Sequence, residues 1–161
     1  MPNVLAKLVE LNNWANRQII RACAALPGDQ LDATPQSAEQ MSIRQNLIHM
    51  VDWQRDYLQL LTQTRGDPAP SFAELEQSAA TSGEGLLVLA RAEDGGQPAD
   101  QLETSDGYRV EPWVVMVQAI HHGIEHRKQI AHLMRMLGLD PPWQDGWAFG
   151  EATDALVQIS K

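Results

Sequence analysis

The chain has 161 residues, 43% of them hydrophobic, which suits one domain with a single core. Its formal net charge of −9 disfavours nucleic acid and anionic lipid as partners. The single Cys23 cannot form an internal disulfide, and neither a signal-peptide core nor a run of roughly 18 apolar residues is present. We therefore expect one cytoplasmic domain over residues 1–161, with no membrane span.

Helical periodicity begins near the N-terminus. Apolar residues recur at steps of three, four and seven from Leu5 to Ala22, until a Pro-Gly pair interrupts the pattern, which predicts helix 1. Ser42-Ile43-Arg44-Gln45 has the form of a capping box, in which the Ser and Gln side chains bond to each other's backbone N–H groups. It predicts that helix 2 runs from there to about Thr64, where Gly and Pro follow.

A second capping box, Ser71-Phe72-Ala73-Glu74, predicts the start of helix 3. This helix should continue to about Ala92, although two glycines in its middle lower its intrinsic helicity. Residues 94–111 are rich in Gly and Pro and are expected to form a long loop, with a short extended piece at residues 108–110.

Helix 4 is the longest predicted element. It should begin at Pro112, because the missing N–H of proline costs nothing in a first turn, and end near Leu137, where Gly follows. A short final helix is predicted over residues 148–159. Four amphipathic helices without a convincing strand indicate an all-α four-helix bundle with a short extra C-terminal helix. The pattern does not determine whether helices 2 and 4 run parallel or antiparallel.

Two histidines interrupt the apolar stripe of helix 4. His122 and His126 lie one turn apart, at positions where a bundle ordinarily places Leu, so their imidazoles can converge on one point. Each ring brings a donor and an acceptor into an apolar layer, and a metal ion would satisfy one nitrogen of each. The alternative is a pair of ordinary hydrogen-bonded core histidines. The spacing leaves both interpretations open.

A third histidine is available on helix 2. A catalytic zinc usually has three protein ligands, and His49 completes a set of three with His122 and His126. Asp52 and Asp56 flank His49 on its own helix face, where a carboxylate could orient the second imidazole nitrogen.

The polar stripe of helix 4 contains His121, Glu125 and His132, and we expect both of these histidines at the surface. Glu125 lies within His122-Gly123-Ile124-Glu125-His126, which matches the inverted zinc-protease pattern H-x-x-E-H and suggests a general base. The match is short. Four carboxylates remain candidates for a general base: Asp52, Asp56, Glu125 and Asp145.

Three segments together resemble the DinB/YfiT-like superfamily of small proteins regarded as metalloenzymes, and the resemblance covers nearly the whole chain. The segments are Asn13-Trp14-Ala15-Asn16, similar to a W-A-N signature; Ser42-Ile43-Arg44 leading to Leu47-Ile48-His49-Met50-Val51, similar to the second helix with its single His; and residues 122–130 before Leu137-Gly138, similar to H-x-x-x-H-R-x-Q-I. Lys128 departs from the small residue often found between Arg127 and Gln129, but it is expected to face outward.

The resemblance implies a homodimeric four-helix bundle with zinc or nickel bound by His49, His122 and His126. Better understood relatives use the metal to activate a low-molecular-weight thiol, in S-transfer or in isomerisation of a small acid. Our first expectation is a divalent-metal-dependent enzyme that acts on a small molecule by thiol transfer or hydrolysis. The alternative is a non-catalytic metal-binding dimeric scaffold or stress-response module. A fourth ligand from Asp145 or Glu125 would favour the scaffold, whereas an open coordination position would favour the enzyme.

Overall fold

The structure, a computed structural model, describes residues 3–34, 41–92 and 101–159. Within these ranges the fold is all-α apart from a two-stranded ribbon. The helices are α1 Val4–Ala24, α2 Gly28–Asp32, α3 Ile43–Thr62, α4 Leu75–Arg91, α5 Pro112–Met136 and α6 Gly146–Ala152. A 3-10 turn, Phe72–Glu74, precedes α4, and strands β1 Leu102–Glu103 and β2 Arg109–Val110 pair antiparallel before α5. Helices α1, α3, α4 and α5 form the bundle, so the predicted fold class is confirmed.

Local hydrogen bonds explain where the helices begin. At the start of α3, the backbone N–H of Gln45 donates to Ser42 Oγ at 3.2 Å, and the N–H of Ser42 donates to Gln45 Oε1 at 2.9 Å. The second predicted box is also present, with Glu74 accepting from the Ser71 backbone at 2.9 Å, and it opens the 3-10 turn that leads into α4. Pro112 occupies the first turn of α5, as predicted.

Three elements differ from the sequence-based expectations. Strand β1 lies in the segment that is expected to be a loop, where only residues 108–110 are expected to be extended. The five-residue helix α2 was not predicted, because the Pro-Gly pair at its start indicates only the end of the helical pattern of helix 1. The final helix spans Gly146–Ala152 and not residues 148–159. It starts earlier because Asp145 accepts hydrogen bonds from the backbone N–H groups of Trp147 and Ala148, and it ends before Asp154, whose φ of 55° is left-handed. Residues 94–100 of the predicted loop lie outside the described residues.

Contacts across the bundle settle the direction of its central helices. Near the start of α3, Asn46 contacts His126, whereas Tyr57, later in α3, contacts His122, earlier in α5. Helices α3 and α5 are therefore antiparallel. Buried aliphatic residues pack around this pair, among them Leu47 and Ile130. None of the described helices combines the length and apolar character that a membrane span needs.

Candidate metal centre

Three imidazole rings meet where α3 packs against α5. The ring centroid of His49 lies 5.2 Å from that of His122 and 4.7 Å from that of His126, and the two α5 rings are 4.4 Å apart. One ligand nitrogen from each ring lies within 4.8 Å of the other two. The structure thus brings together all three histidines that the sequence singled out.

The donor geometry fits a divalent ion. The Nε2 atoms of His122 and His126 are 3.1 Å apart. Two nitrogens that each lie about 2.0–2.1 Å from one tetrahedral zinc would be separated by roughly 3.3 Å. Imidazole is a common ligand of zinc and nickel, so both the spacing and the chemistry of the donors are suited to such an ion.

An asparagine determines which nitrogen of His126 is free. The amide nitrogen of Asn46 donates hydrogen bonds to the backbone oxygens of Met41 and Ser42, both at 3.0 Å. Its Oδ1 is therefore the atom that faces His126 Nδ1, at 2.9 Å, and it accepts a hydrogen bond from that nitrogen. Because Nδ1 carries the proton, Nε2 of the neutral ring keeps its lone pair directed towards His122.

Sequence reasoning missed Asn46. We expected a carboxylate to orient His49, whereas the oriented ring is His126 and its partner is an amide. Among the described residues, His49 has no hydrogen bond to a carboxylate. One signal was available: Asn46 lies three residues before His49, at a spacing that places both on the same face of α3.

Burial keeps two of the rings neutral. It lowers the pKa of His122 to about 4, and the nearby rings of His126 and His49 act in the same direction. Burial and His49 also lower the pKa of His126, against the opposing effect of Glu125. Neutral imidazole is the form that binds a metal ion, so neither ring needs to lose a proton near neutral pH before it binds.

Aromatic side chains of α3 form a wall beside the histidines. The Trp53 ring centroid lies 5.9 Å from that of His49 and 6.0 Å from that of His122, and Tyr57 lies 5.8 Å from His122. Trp53 is 41% exposed, so this wall is open to solvent. Burial raises the pKa of Tyr57, which keeps its phenol protonated. The wall offers apolar contact for a small molecule next to the three nitrogens.

Two of the predicted general-base candidates do not belong to this centre. Asp145 caps α6 and lines a pocket on another face of the bundle. Glu125 is exposed, and its carboxylate lies 3.6 Å from Nδ1 of the exposed His121. His132 is also exposed, as expected.

The other two candidates lie on α3. Asp52 forms an ion pair with Arg55 at 3.6 Å. Partial burial and the neighbouring Asp52 carboxylate raise the pKa of Asp56, although Arg55 opposes this effect. Asp56 follows His49 by two helical turns, on the same face of the helix.

A buried arginine lies next in the chain to His126. Nη1 of Arg127 donates to Oδ1 of Asn12 at 2.7 Å and also to Oδ1 of Asn16. The amide of Asn16 donates to Gln54 Oε1 at 2.7 Å, and Gln54 donates to Ser82 Oγ at 2.7 Å. This network, which we call the arginine network, joins α1, α3, α4 and α5. Burial lowers the pKa of Arg127 to about 10, so the guanidinium remains charged at neutral pH.

A glycine makes the arginine network possible. A Cβ on Gly123 would lie 2.6 Å from Asn12 Oδ1 and 2.9 Å from Arg127 Nη1, so a side chain there would push the two groups apart. Asn16 ends the segment that resembles W-A-N, and Arg127 belongs to the segment that resembles H-R-x-Q-I. Two of the segments that carry the family resemblance are thus in direct contact.

Comparison with known proteins agrees with this resemblance. The sequence model of the DinB family matches residues 1–159. The chain belongs to the DinB family. A crystal structure assigned to the DinB family, from Exiguobacterium sibiricum, is similar to this fold with a TM-score of 0.67 and 17% identity, over 87% of this chain and 93% of that chain. No curated protein matches the chain.

Proposed function

We propose that this DinB-family protein is a divalent-metal-dependent enzyme that acts on a small molecule. His49, His122 and His126 would hold zinc or nickel, and the reaction would be thiol transfer or hydrolysis. The observation that carries the proposal is the convergence of three imidazoles with no Asp, Glu or Cys among the described residues close enough to join the group. Catalytic zinc usually has three protein ligands and an open position, whereas structural zinc has four, which favours the enzyme over the scaffold.

The surrounding residues have distinct parts in this proposal. A divalent ion supplies a nucleophile at neutral pH, because it lowers the pKa of a thiol or water in its open position. Asn46 holds His126 in the tautomer that presents Nε2. Trp53 and Tyr57 would pack against the substrate and shield one side of it from water. Asp56, with its raised pKa, is the carboxylate on this face of α3 best suited to accept a proton from a bound substrate.

Activity assays with defined metal content test the proposal. Protein loaded with zinc or nickel should consume a low-molecular-weight thiol in the presence of an electrophile such as 1-chloro-2,4-dinitrobenzene, or hydrolyse a member of an ester and amide panel. Removal of the metal with a chelator should stop turnover, and adding it back should restore turnover. If neither thiols nor hydrolysable substrates give metal-dependent turnover, the scaffold alternative replaces this proposal.

A substitution on the neighbouring polar face serves as a control for the assay. Glu125→Gln should retain full activity, because Glu125 is exposed and its carboxylate lies beside the exposed His121. His122→Ala should lose activity together with its metal. If Glu125→Gln is inactive although its metal content is normal, Glu125 is a general base after all and the inverted zinc-protease analogy holds.

We further propose that the protein is a homodimer. Trp113 and Val117, one turn apart on α5, are 58% and 52% exposed, and a self-complementary interface would cover such side chains. Sedimentation at micromolar concentration should give about twice the 17.9 kDa chain mass. A species of single-chain mass alone would contradict the dimer without affecting the metal proposal.

A further inference from the structure

A cavity lies on a different face of α5 from the three histidines. It has a volume of about 900 Å³ and is bounded by α1, α5 and the segment of residues 140–145. Arg127 and Asn12 line it, together with the aliphatic side chains of Leu8, Ile120 and Ile124. None of the three histidines lines this pocket, so it is separate from the candidate metal centre.

The pocket contains a buried charge without a counterion. Arg127 is only 5% exposed, and among the described residues its partners are the amide oxygens of Asn12 and Asn16, with no carboxylate in an ion pair. Nε and Nη2 have no acceptor in the described chain, and neither is among its fully buried polar atoms that lack a partner. These N–H groups are therefore not fully enclosed by the protein, and Arg127 lines the pocket. A desolvated guanidinium is stabilised strongly by a carboxylate, which matches its geometry.

The segment of residues 140–145 forms another wall of the pocket. Nε2 of Gln144 is fully enclosed there, and no described residue accepts its hydrogen bond. A ligand oxygen would reach this nitrogen only after the Gln144 side chain turns, so Nε and Nη2 of Arg127 are the donors on which the site depends.

The charges around the pocket favour an anion. Its lining has three cationic side chains, Arg127, Lys128 and Arg135, and two carboxylates, Asp140 and Asp145. The lining therefore has one more cation than carboxylates, in a chain whose net charge is −9.

We propose that this pocket binds a small organic anion, with its carboxylate at Arg127 and its apolar part against Leu8, Ile120 and Ile124. Trp143, which also lines the pocket, is 80% exposed and would cover the bound molecule. Because this site needs no metal, this proposal does not depend on the proposed metal-dependent function.

Nuclear magnetic resonance of the metal-free, ¹⁵N-labelled protein tests the proposal with hexanoate as the probe. The indole N–H signal of Trp143, assigned with Trp143→Phe, should shift saturably with hexanoate. Hexanamide has the same chain without the charge and should bind at least about tenfold more weakly. The Trp53 indole beside the histidines should not respond. Equal binding of hexanamide, a response at Trp53 alone, or no response to hexanoate would overturn the proposal.

Variants separate a ligand site from a structural role of Arg127. Arg127→Met should weaken hexanoate binding at least about tenfold, but it also removes the donor of the arginine network and can unfold the protein. Ala131→Phe fills the same pocket and leaves every charge in place, so it should abolish binding while circular dichroism stays unchanged. His132→Phe, at the next and exposed position, should bind like the wild type. Undiminished binding by Ala131→Phe would overturn the proposal, as would a Trp143 signal that depends on protein concentration, because that would show contact between copies.

Discussion

His126 and Arg127 are neighbours in the chain, and both are buried, yet they belong to polar clusters of opposite character. In the histidine cluster, ring nitrogens face one another, and the Nε2 lone pair of His126 is directed at His122. In the arginine network, a charged donor is directed at the amide oxygens of Asn12 and Asn16. Successive side chains on a helix differ in direction by about 100°. His126 therefore faces α3, whereas Arg127 faces α1.

The two clusters differ in the kind of partner that would complete them. The arginine network connects four helices through donor and acceptor pairs of the chain itself, and only Nε and Nη2 of Arg127 remain for an acceptor in the neighbouring pocket. The histidine cluster contains more lone pairs than the chain supplies donors, and a cation would complete it. Both clusters use asparagine as the orienting residue, with Asn46 in one and Asn12 and Asn16 in the other.

The largest expected effect is the loss of metal affinity when one of the three histidines is removed. His49→Ala, His122→Ala and His126→Ala each leave two imidazoles, too few to hold zinc or nickel well. Each variant should lose metal affinity by more than about 100-fold, because even loss of an orienting partner costs about 10 to 100-fold. Metal stoichiometry after identical dialysis measures this. His121→Ala and His132→Ala are matched controls and should retain their metal. Full metal content in His49→Ala would show that His49 is not a metal ligand.

A smaller loss of metal affinity is expected when Asn46, whose amide orients His126, is replaced. Asn46→Leu has a similar size but cannot accept from His126 Nδ1, so metal affinity should fall by about 10 to 100-fold. Asn46→Asp keeps an acceptor and should bind metal at least as tightly as the wild type. Competition with a chromophoric chelator gives the affinities. Nitrogen-15 shifts of His126 in the metal-free protein report its tautomer, and an unchanged Nδ1–H tautomer in Asn46→Leu would contradict the assigned role.

The next substitution tests the arginine network by itself. Gly123→Ala would place a Cβ 2.6 Å from Asn12 Oδ1. We expect a loss of about 1–3 kcal/mol in the free energy of unfolding from this overpacking, reduced by about 1 kcal/mol because Ala favours the helix more than Gly. Urea denaturation of the metal-free protein measures the net change. Gly146→Ala is the control, because nothing lies within 4 Å of its added Cβ. If Gly123→Ala is as stable as the control, the close approach is not required.

The bundle could be predicted from the sequence because its signals are local. Apolar periodicity, the capping box at Ser42 and Pro112 at a helix start each act within a few residues, and the structure confirms all three. Helix α2 and the early end of α6 could not be predicted, because a five-residue helix has too little periodicity and left-handed residues such as Asp154 have no strong sequence signal.

The three histidines could be identified from their spacing and the family resemblance, but their partners could not. That Asn46 contacts His126 depends on the antiparallel register of α3 and α5, which the helical patterns leave open. For the same reason, the helical patterns do not indicate that Arg127 contacts Asn12 and Asn16 on α1. Contacts between residues 80 or more positions apart in the sequence depend on how the helices pack. Apolar periodicity describes only one helix at a time.

The pH dependence of stability also distinguishes the two clusters. In the folded chain His122 has a pKa of about 4, against about 6.5 when unfolded. Between these values the unfolded chain takes up a proton that the folded chain does not, so His122 makes the metal-free protein less stable as pH falls from about 6.5 towards 4. Arg127 stays charged throughout this range and contributes nothing to the slope. Urea midpoints across this range should therefore fall less steeply in His122→Gln than in the wild type, whereas the exposed His132→Gln should keep the wild-type slope. If His122→Gln also keeps it, burial does not hold that ring neutral, and protons compete for the proposed metal ligand at its ordinary pKa.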